Sequence, residues 1–99
     1  MVELLLTFHA GKIDAAAIGD ALRVVLRVPV HIRDEAVLGL DFSDATTAER
    51  VTGSLNRTAI ELIVEADGMQ DVIAIVERTK RSGPVRWQAI PISARGRLS

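Results

Sequence analysis

His9 and His31 are the only imidazoles in this 99-residue chain, and their surroundings decide what chemistry they could carry. They do not share the i, i+4 spacing that puts two ligands on one helix face. His31 is followed by Asp34, Glu35, Asp41 and Asp44, oxygen donors that could join an imidazole around a divalent cation. His9, His31, Asp34 and Glu35 are therefore the candidate metal ligands; the plainer reading is a surface histidine beside a solvated acidic stretch. A second set is basic. Arg78, Lys80, Arg81, Arg86, Arg95 and Arg97 gather toward the C-terminal end of the sequence and could receive a phosphate or carboxylate at a cleft between subunits. Alternatively, the helix-end cations offset the helix dipole and the rest keep the surface soluble. No catalytic set accompanies either group. Ser43, Ser54 and Ser93 have no readable His–Asp arrangement, and Ser82-Gly83-Pro84 is too short and rigid for a phosphate loop. The absence of cysteine removes disulfides, thiolate zinc sites and a thiol nucleophile. The expectation is a protein that is not an enzyme, its cofactor unknown.

The elements that position these residues follow from hydrophobic periodicity. Val2 to Phe8 alternates as a strand with Val2, Leu4, Leu6 and Phe8 on the core face and Glu3, Leu5, Thr7 and His9 on the other. Ala10-Gly11-Lys12 reads as a turn and Asp14 as the cap of a helix whose Ile18, Ala21, Leu22 and Val25 recur at helical spacing. Gly19 inside that helix costs about 1 kcal/mol relative to alanine, which suggests close packing there. Pro29 suits the start of a second strand, short or at a sheet edge, in which Val30 and Ile32 alternate with His31 and Arg33. The stretch from Asp34 to Arg57 is longer than the ~12–15 residues usual for a connection without structure of its own. Within it Thr46 and Glu49 form a capping-box pair and Gly53 a stop, so about two helical turns are expected in a long loop.

Thr58 to Glu65 reads as a central third strand, with Ile60, Leu62 and Val64 on one face and Ala59, Glu61, Ile63 and Glu65 on the other. Asp67 and Gln70 can cap a second helix with a stripe of Met69, Val72, Ile73 and Val76, stopped by Gly83-Pro84. Val85 to Ile92 is a fourth strand, and Ser93 to Ser99 a polar tail. The sequence thus predicts one domain over residues 1–99, an α+β ferredoxin-like βαββαβ antiparallel sheet with two helices on one face. Leu5, Ile63, Ile90 and Ile92 would then lie on the face without helices. Each is worth roughly 1.5–3 kcal/mol if fully buried, so association with copies of the same chain, as a trimer or dimer, is expected.

Composition limits the partners. Hydrophobic residues are 48% of the chain and aromatics 3%, so aliphatic packing must fill the core. A formal charge of −1 supplies no field for nucleic acid or anionic lipid, and only Phe8 and Trp87 lie on strands that could stack bases. Nucleic acid is not expected as a partner. The apolar run after Met1 is too brief for a signal peptide or a membrane span, so a cytoplasmic protein without direct membrane insertion is expected.

Two stretches carry a resemblance. Asp44 to Gly53 contains Ala48-Glu49-x-Val51-x-Gly53, and the segment from Trp87 to Leu98 sets Trp87 four residues before Pro91 and Pro91 five before Gly96-Arg97-Leu98. With the strand Thr58–Val64 between them, the chain resembles a poorly characterised family of PII-like proteins. The resemblance implies a ferredoxin-like homotrimer related to PII signal proteins and to the CutA divalent-ion tolerance proteins. It also implies a gene commonly found beside heavy-metal efflux pumps, and hence a regulator of a membrane transporter that senses a small ligand or metal through its long loop. PII proteins themselves bind ATP or ADP using a loop rich in Gly and Lys, where this chain has Arg81-Ser82-Gly83-Pro84. They are modified on a tyrosine, which this chain lacks. The competing expectations are a ligand-free structural or adaptor subunit, a nucleotide-binding PII-type signal protein, and an enzyme of acylphosphatase-like architecture. The last would need a phosphate cradle after the first strand, for which Phe8-His9-Ala10-Gly11-Lys12 is a poor match.

Overall fold

A computed structural model describes residues 2–38 and 54–99. The elements run β1 (Glu3–Ala10), α1 (Lys12–Leu26), β2 (His31–Leu38), β3 (Ser54–Glu65), a 3-10 turn (Ala66–Gly68), α2 (Met69–Arg78) and β4 (Arg86–Ile92). The strands form one antiparallel sheet in the order β2-β3-β1-β4. This is the ferredoxin-like α+β arrangement the sequence predicts: β3 is central and β2 an edge strand. Both crossovers pass on one side, which leaves one sheet face covered by helices and, among the described residues, one without.

The core lies between the sheet and the helices. Leu6 and Phe8 of β1 face Leu62 and Ile60 of β3 in register, and all four are almost wholly buried. Ile18 and Leu22 of α1 and Val72, Ile75 and Val76 of α2 close over them. Each such aliphatic contributes roughly 1.5–3 kcal/mol by leaving water, so this layer dominates the stability. Gly19 is explained by contact: an added Cβ would come within 3.0 Å of Ile32 Cδ1 on β2.

Several local expectations are corrected. β1 starts at Glu3 and continues through Ala10, so Ala10-Gly11-Lys12 is not a free turn, and Gly11 rather than Asp14 is the cap of α1. Asp14 sits in the first turn, its carboxylate turned away toward another loop. Val25 is largely exposed because the inward stripe of α1 runs through Ala15, Ile18, Gly19 and Leu22. Asp67 belongs to the 3-10 turn, and Gly68, without a side-chain bond, precedes α2. The stretch 34–57 is largely strand at its ends: Asp34–Leu38 continues β2 and Ser54–Arg57 opens β3. Backbone pairing with β3 holds β2 where side-chain alternation is too mixed to announce a strand. The short helix expected near Thr46–Gly53, together with Asp41 and Asp44, lies outside the described residues. Among the described residues, no helix is long and apolar enough to cross a membrane.

Candidate functional site

Residues directly opposite in an antiparallel pair share a face, so the register assigns the bare side of the sheet without ambiguity. Leu5 faces Ile63 on β3 and Ile90 on β4, and Ile92 follows beside Glu3. The four aliphatics read from the sequence as one uncovered set therefore meet at one end of this face. Ile90 is 51% exposed.

The other end is polar. Glu61 of β3 accepts a hydrogen bond from Thr7 Oγ1 at 2.8 Å and one from Arg33 Nη2 at 3.3 Å, both on the same carboxylate oxygen. Burial pushes the Glu61 pKa up, but the bonds from Arg33 and Thr7 outweigh it and hold the group below the usual carboxylate range. Next along the face, His9 Nδ1 and Glu35 Oε1 are in direct hydrogen-bond contact, and each side chain is about three-quarters buried. His31 stands opposite Glu61, and Arg86 opposite His9. The bare face is thus an aliphatic patch continuous with a network of two carboxylates, two imidazoles and arginines.

The candidate metal ligands divide. His9, His31 and Glu35 share the bare face, with His9 and Glu35 in contact. Asp34 points to the opposite face, where Thr58 Oγ1 donates to it at 2.9 Å. Among the described residues no three His, Asp or Glu side chains converge as a cation cage. Asp34 and Glu35 instead border an open groove of about 420 Å³ with Lys12 and Arg57, beside the paired stretch of β2 and β3.

The basic residues divide as well. Arg78, Lys80 and Arg81 line an open groove of about 380 Å³ around the turn after α2. Arg81 is engaged there, its Nη1 donating to the carbonyls of Val76 and Glu77 at 3.3 and 3.2 Å and so closing the end of α2. Arg86 belongs to the bare face. Arg95 forms a two-pronged pair with Glu3 at 2.8 and 3.0 Å. The hydrogen bond from Arg95 holds the Glu3 carboxyl below its ordinary range.

Asp14, Glu61, Thr7 and Arg33 are the residues sequence reasoning passed over. The Asp14 carboxylate accepts from the backbone N–H groups of Ser82 and Gly83, each at 3.0 Å, and from the Ser82 hydroxyl. An internal anion thus occupies the donors of the turn after α2. For Glu61 a signal was present: a carboxylate in the middle of a central, otherwise aliphatic strand needs partners on its own face.

The family model described as "Protein of unknown function (DUF3240)" matches residues 15–99. No curated protein matches the chain. Among solved structures, a DUF3240 family protein from Shewanella baltica is similar over 100% of this chain and 99% of its own, with a TM-score of 0.78 at 17% identity. PII from Arabidopsis thaliana, solved with citrate, is similar over 93% of this chain and 78% of its own, with a TM-score of 0.67 at 15% identity. A functionally unknown protein from Pediococcus pentosaceus is similar over 99% of both chains, with a TM-score of 0.64 at 12% identity. At these identities the likeness is one of fold.

Proposed function

The chain belongs to the DUF3240 family of proteins of unknown function, and from its PII-like fold and uncovered sheet face we propose that it is a regulatory protein without catalytic activity that works as a homotrimer. The observation that carries this reading is the pairing of Leu5, Ile63, Ile90 and Ile92 on a face without helices. A closed assembly of three copies would take these side chains out of water. The same association would bring the polar end, with His9, Glu35, Glu61 and Arg33, near the seams between protomers. A small ligand or a metal ion bound there would be felt at once by the neighbouring chain, and residues between β2 and β3 would pass that state to a membrane transporter in the cytoplasm.

Specific contacts also support a second reading, a ligand-free adaptor. His9 is already matched with Glu35, and Arg95 with Glu3. The N–H groups of Ser82 and Gly83, which could have held a nucleotide phosphate, are given to Asp14.

Sedimentation of the intact protein tests assembly: three times 10.7 kDa is expected, and a stable single chain overturns the trimer. Melting the protein with divalent metals, adenine nucleotides or citrate separates sensor from adaptor, since a ligand that binds only the native state must raise the midpoint. A selective rise identifies the ligand class. No rise with any of them removes the sensor reading and leaves the adaptor.

A further inference from the structure

Ser82 and Gly83, in the turn after α2, aim successive backbone N–H groups at one carboxylate. Ser82 N donates to Asp14 Oδ1 and Gly83 N to Asp14 Oδ2, each at 3.0 Å. The Ser82 hydroxyl reaches both oxygens, at 3.3 and 3.4 Å. Successive N–H groups converging on an anion are the way backbone concavities hold carboxylates and phosphates. Pro84, next in the chain, has no N–H to add and stiffens the turn that presents the pair.

These donors are buried on one side and open on the other. Asp14 is 7% exposed, whereas Ser82 is exposed and, with Gly83, lines the open groove of about 380 Å³ around the turn. Arg78, Lys80 and Arg81 line the same groove against a single carboxylate, Glu77, so its charge is positive. A strut between a helix and a turn needs no flanking cations; a seat for an anion gains from them. The side that Asp14 comes from favours an anion as well, since it lies in the first turn of α1, at the positive end of the helix dipole. A group carried on the same chain acts at an effective concentration of roughly millimolar or more. A free oxyanion below that level cannot displace it.

We infer that the turn after α2 is an oxyanion site, for a free carboxylate or phosphate, that the chain keeps shut with its own Asp14. The carboxylate on α1 is a tethered competitor, and the site opens only where the first turn of α1 lifts from Ser82 and Gly83. Neither segment belongs to the bare sheet face, so the site is independent of the trimer and the same in one copy or three.

Formate is, as a free ion, the carboxylate that Asp14→Ala deletes, and it is the probe. Melting is compared in sodium formate and in sodium chloride of equal ionic strength. For Asp14→Ala the midpoint in formate is expected to be higher by roughly 5 °C or more once formate exceeds its Kd tenfold. The parent and Asp14→Asn keep the seat filled, so their midpoints should differ by less than about 1 °C between the two salts. In Asp14→Ala the amide resonances of Ser82 and Gly83 should move with formate and saturate together with the melting shift. No rise in Asp14→Ala, a rise shared equally by all three proteins, or a rise that leaves those two amides unmoved overturns the inference. Where Asp14→Ala is mostly unfolded, its folded fraction by circular dichroism in the two salts reads the same competition, and equal fractions overturn the inference too. These outcomes leave the trimer and sensor readings untouched, because those are tested on the parent chain by its sedimenting mass and its response to metals, nucleotides and citrate.

Discussion

The two faces of the same four strands differ in what covers them. On the helix side the middle of β1 and β3 is apolar and nearly dry, from Leu6 and Phe8 to Ile60 and Leu62. On the other side the same strands carry Leu5 and Ile63 at one end and Thr7, Glu61, His9 and Arg33 at the other. A surface meant only for solvent would not gather aliphatics in register, and one meant only for a core would not hold a hydrogen-bonded carboxylate network. The covered face makes the fold; the bare face holds the features an assembly can use and a ligand can perturb.

The largest expected effect lies on the covered side. Phe8→Ala removes a ring that is 1% exposed and leaves a cavity between sheet and helices, so a loss of about 3–5 kcal/mol is expected in chemical denaturation. A loss below 1 kcal/mol would mean the two faces are not ranked as argued. On the bare side Ile63→Asp should behave in the opposite way, leaving the helical circular dichroism intact while the sedimenting mass falls to 10.7 kDa. A trimer that survives a charge in the middle of the patch must be held elsewhere.

This contrast was readable in advance wherever period-two alternation was clean. Spacing alone sets Leu6 and Phe8 inward and Leu5, Ile63, Ile90 and Ile92 outward, and the register places them so. Reading failed where burial did not follow alternation. β2 is exposed along almost its whole length and is held as a strand by its ladder to β3, so Asp34–Leu38 resembled a loop. Asp14 fits a helix cap by type and position, but α1 begins two residues earlier, and the carboxylate serves a turn 68 residues away in sequence. The site residues were scattered for the same reason. The six basic residues are near in sequence, yet β4 carries Arg86 to one face while Arg95 is drawn to Glu3.

Asp14→Ala comes next in size. It removes the acceptor shared by Ser82 and Gly83, and with hydrogen bonds to a charged group worth about 1.5–3 kcal/mol, a loss in that range is expected with the sheet unchanged. An effect near zero would show water replacing the carboxylate at no cost.

Below that stands the acid limb. Glu61 has its pKa lowered in the folded chain, so its contribution is present above the ordinary carboxylate value of 4.5 and fades as pH falls through the depressed folded value. Glu61→Gln should therefore be less stable than the parent at neutral pH and lose less on acidification, as followed by melting between neutral pH and about pH 3. Parallel curves for the two proteins would detach Glu61 from Arg33 and Thr7.

The smallest effect tests where the covered face ends. Gly19→Ala gains about 1 kcal/mol of helix preference, but its new Cβ meets Ile32 Cδ1 at 3.0 Å. Ile32 is 55% exposed on an edge strand, so its side chain can turn aside at about 0.5–1.5 kcal/mol. The two terms nearly cancel, and Gly19→Ala alone should change stability by less than about 1 kcal/mol. Ile32→Val removes the Cδ1 methyl that crowds the site. In that background Gly19→Ala should be stabilising by about 0.5–1 kcal/mol, a non-additivity readable in a double-mutant cycle. If Gly19→Ala delivers its full helix gain in the parent chain, Ile32 is not seated on α1, and the covered face stops at β3 rather than β2.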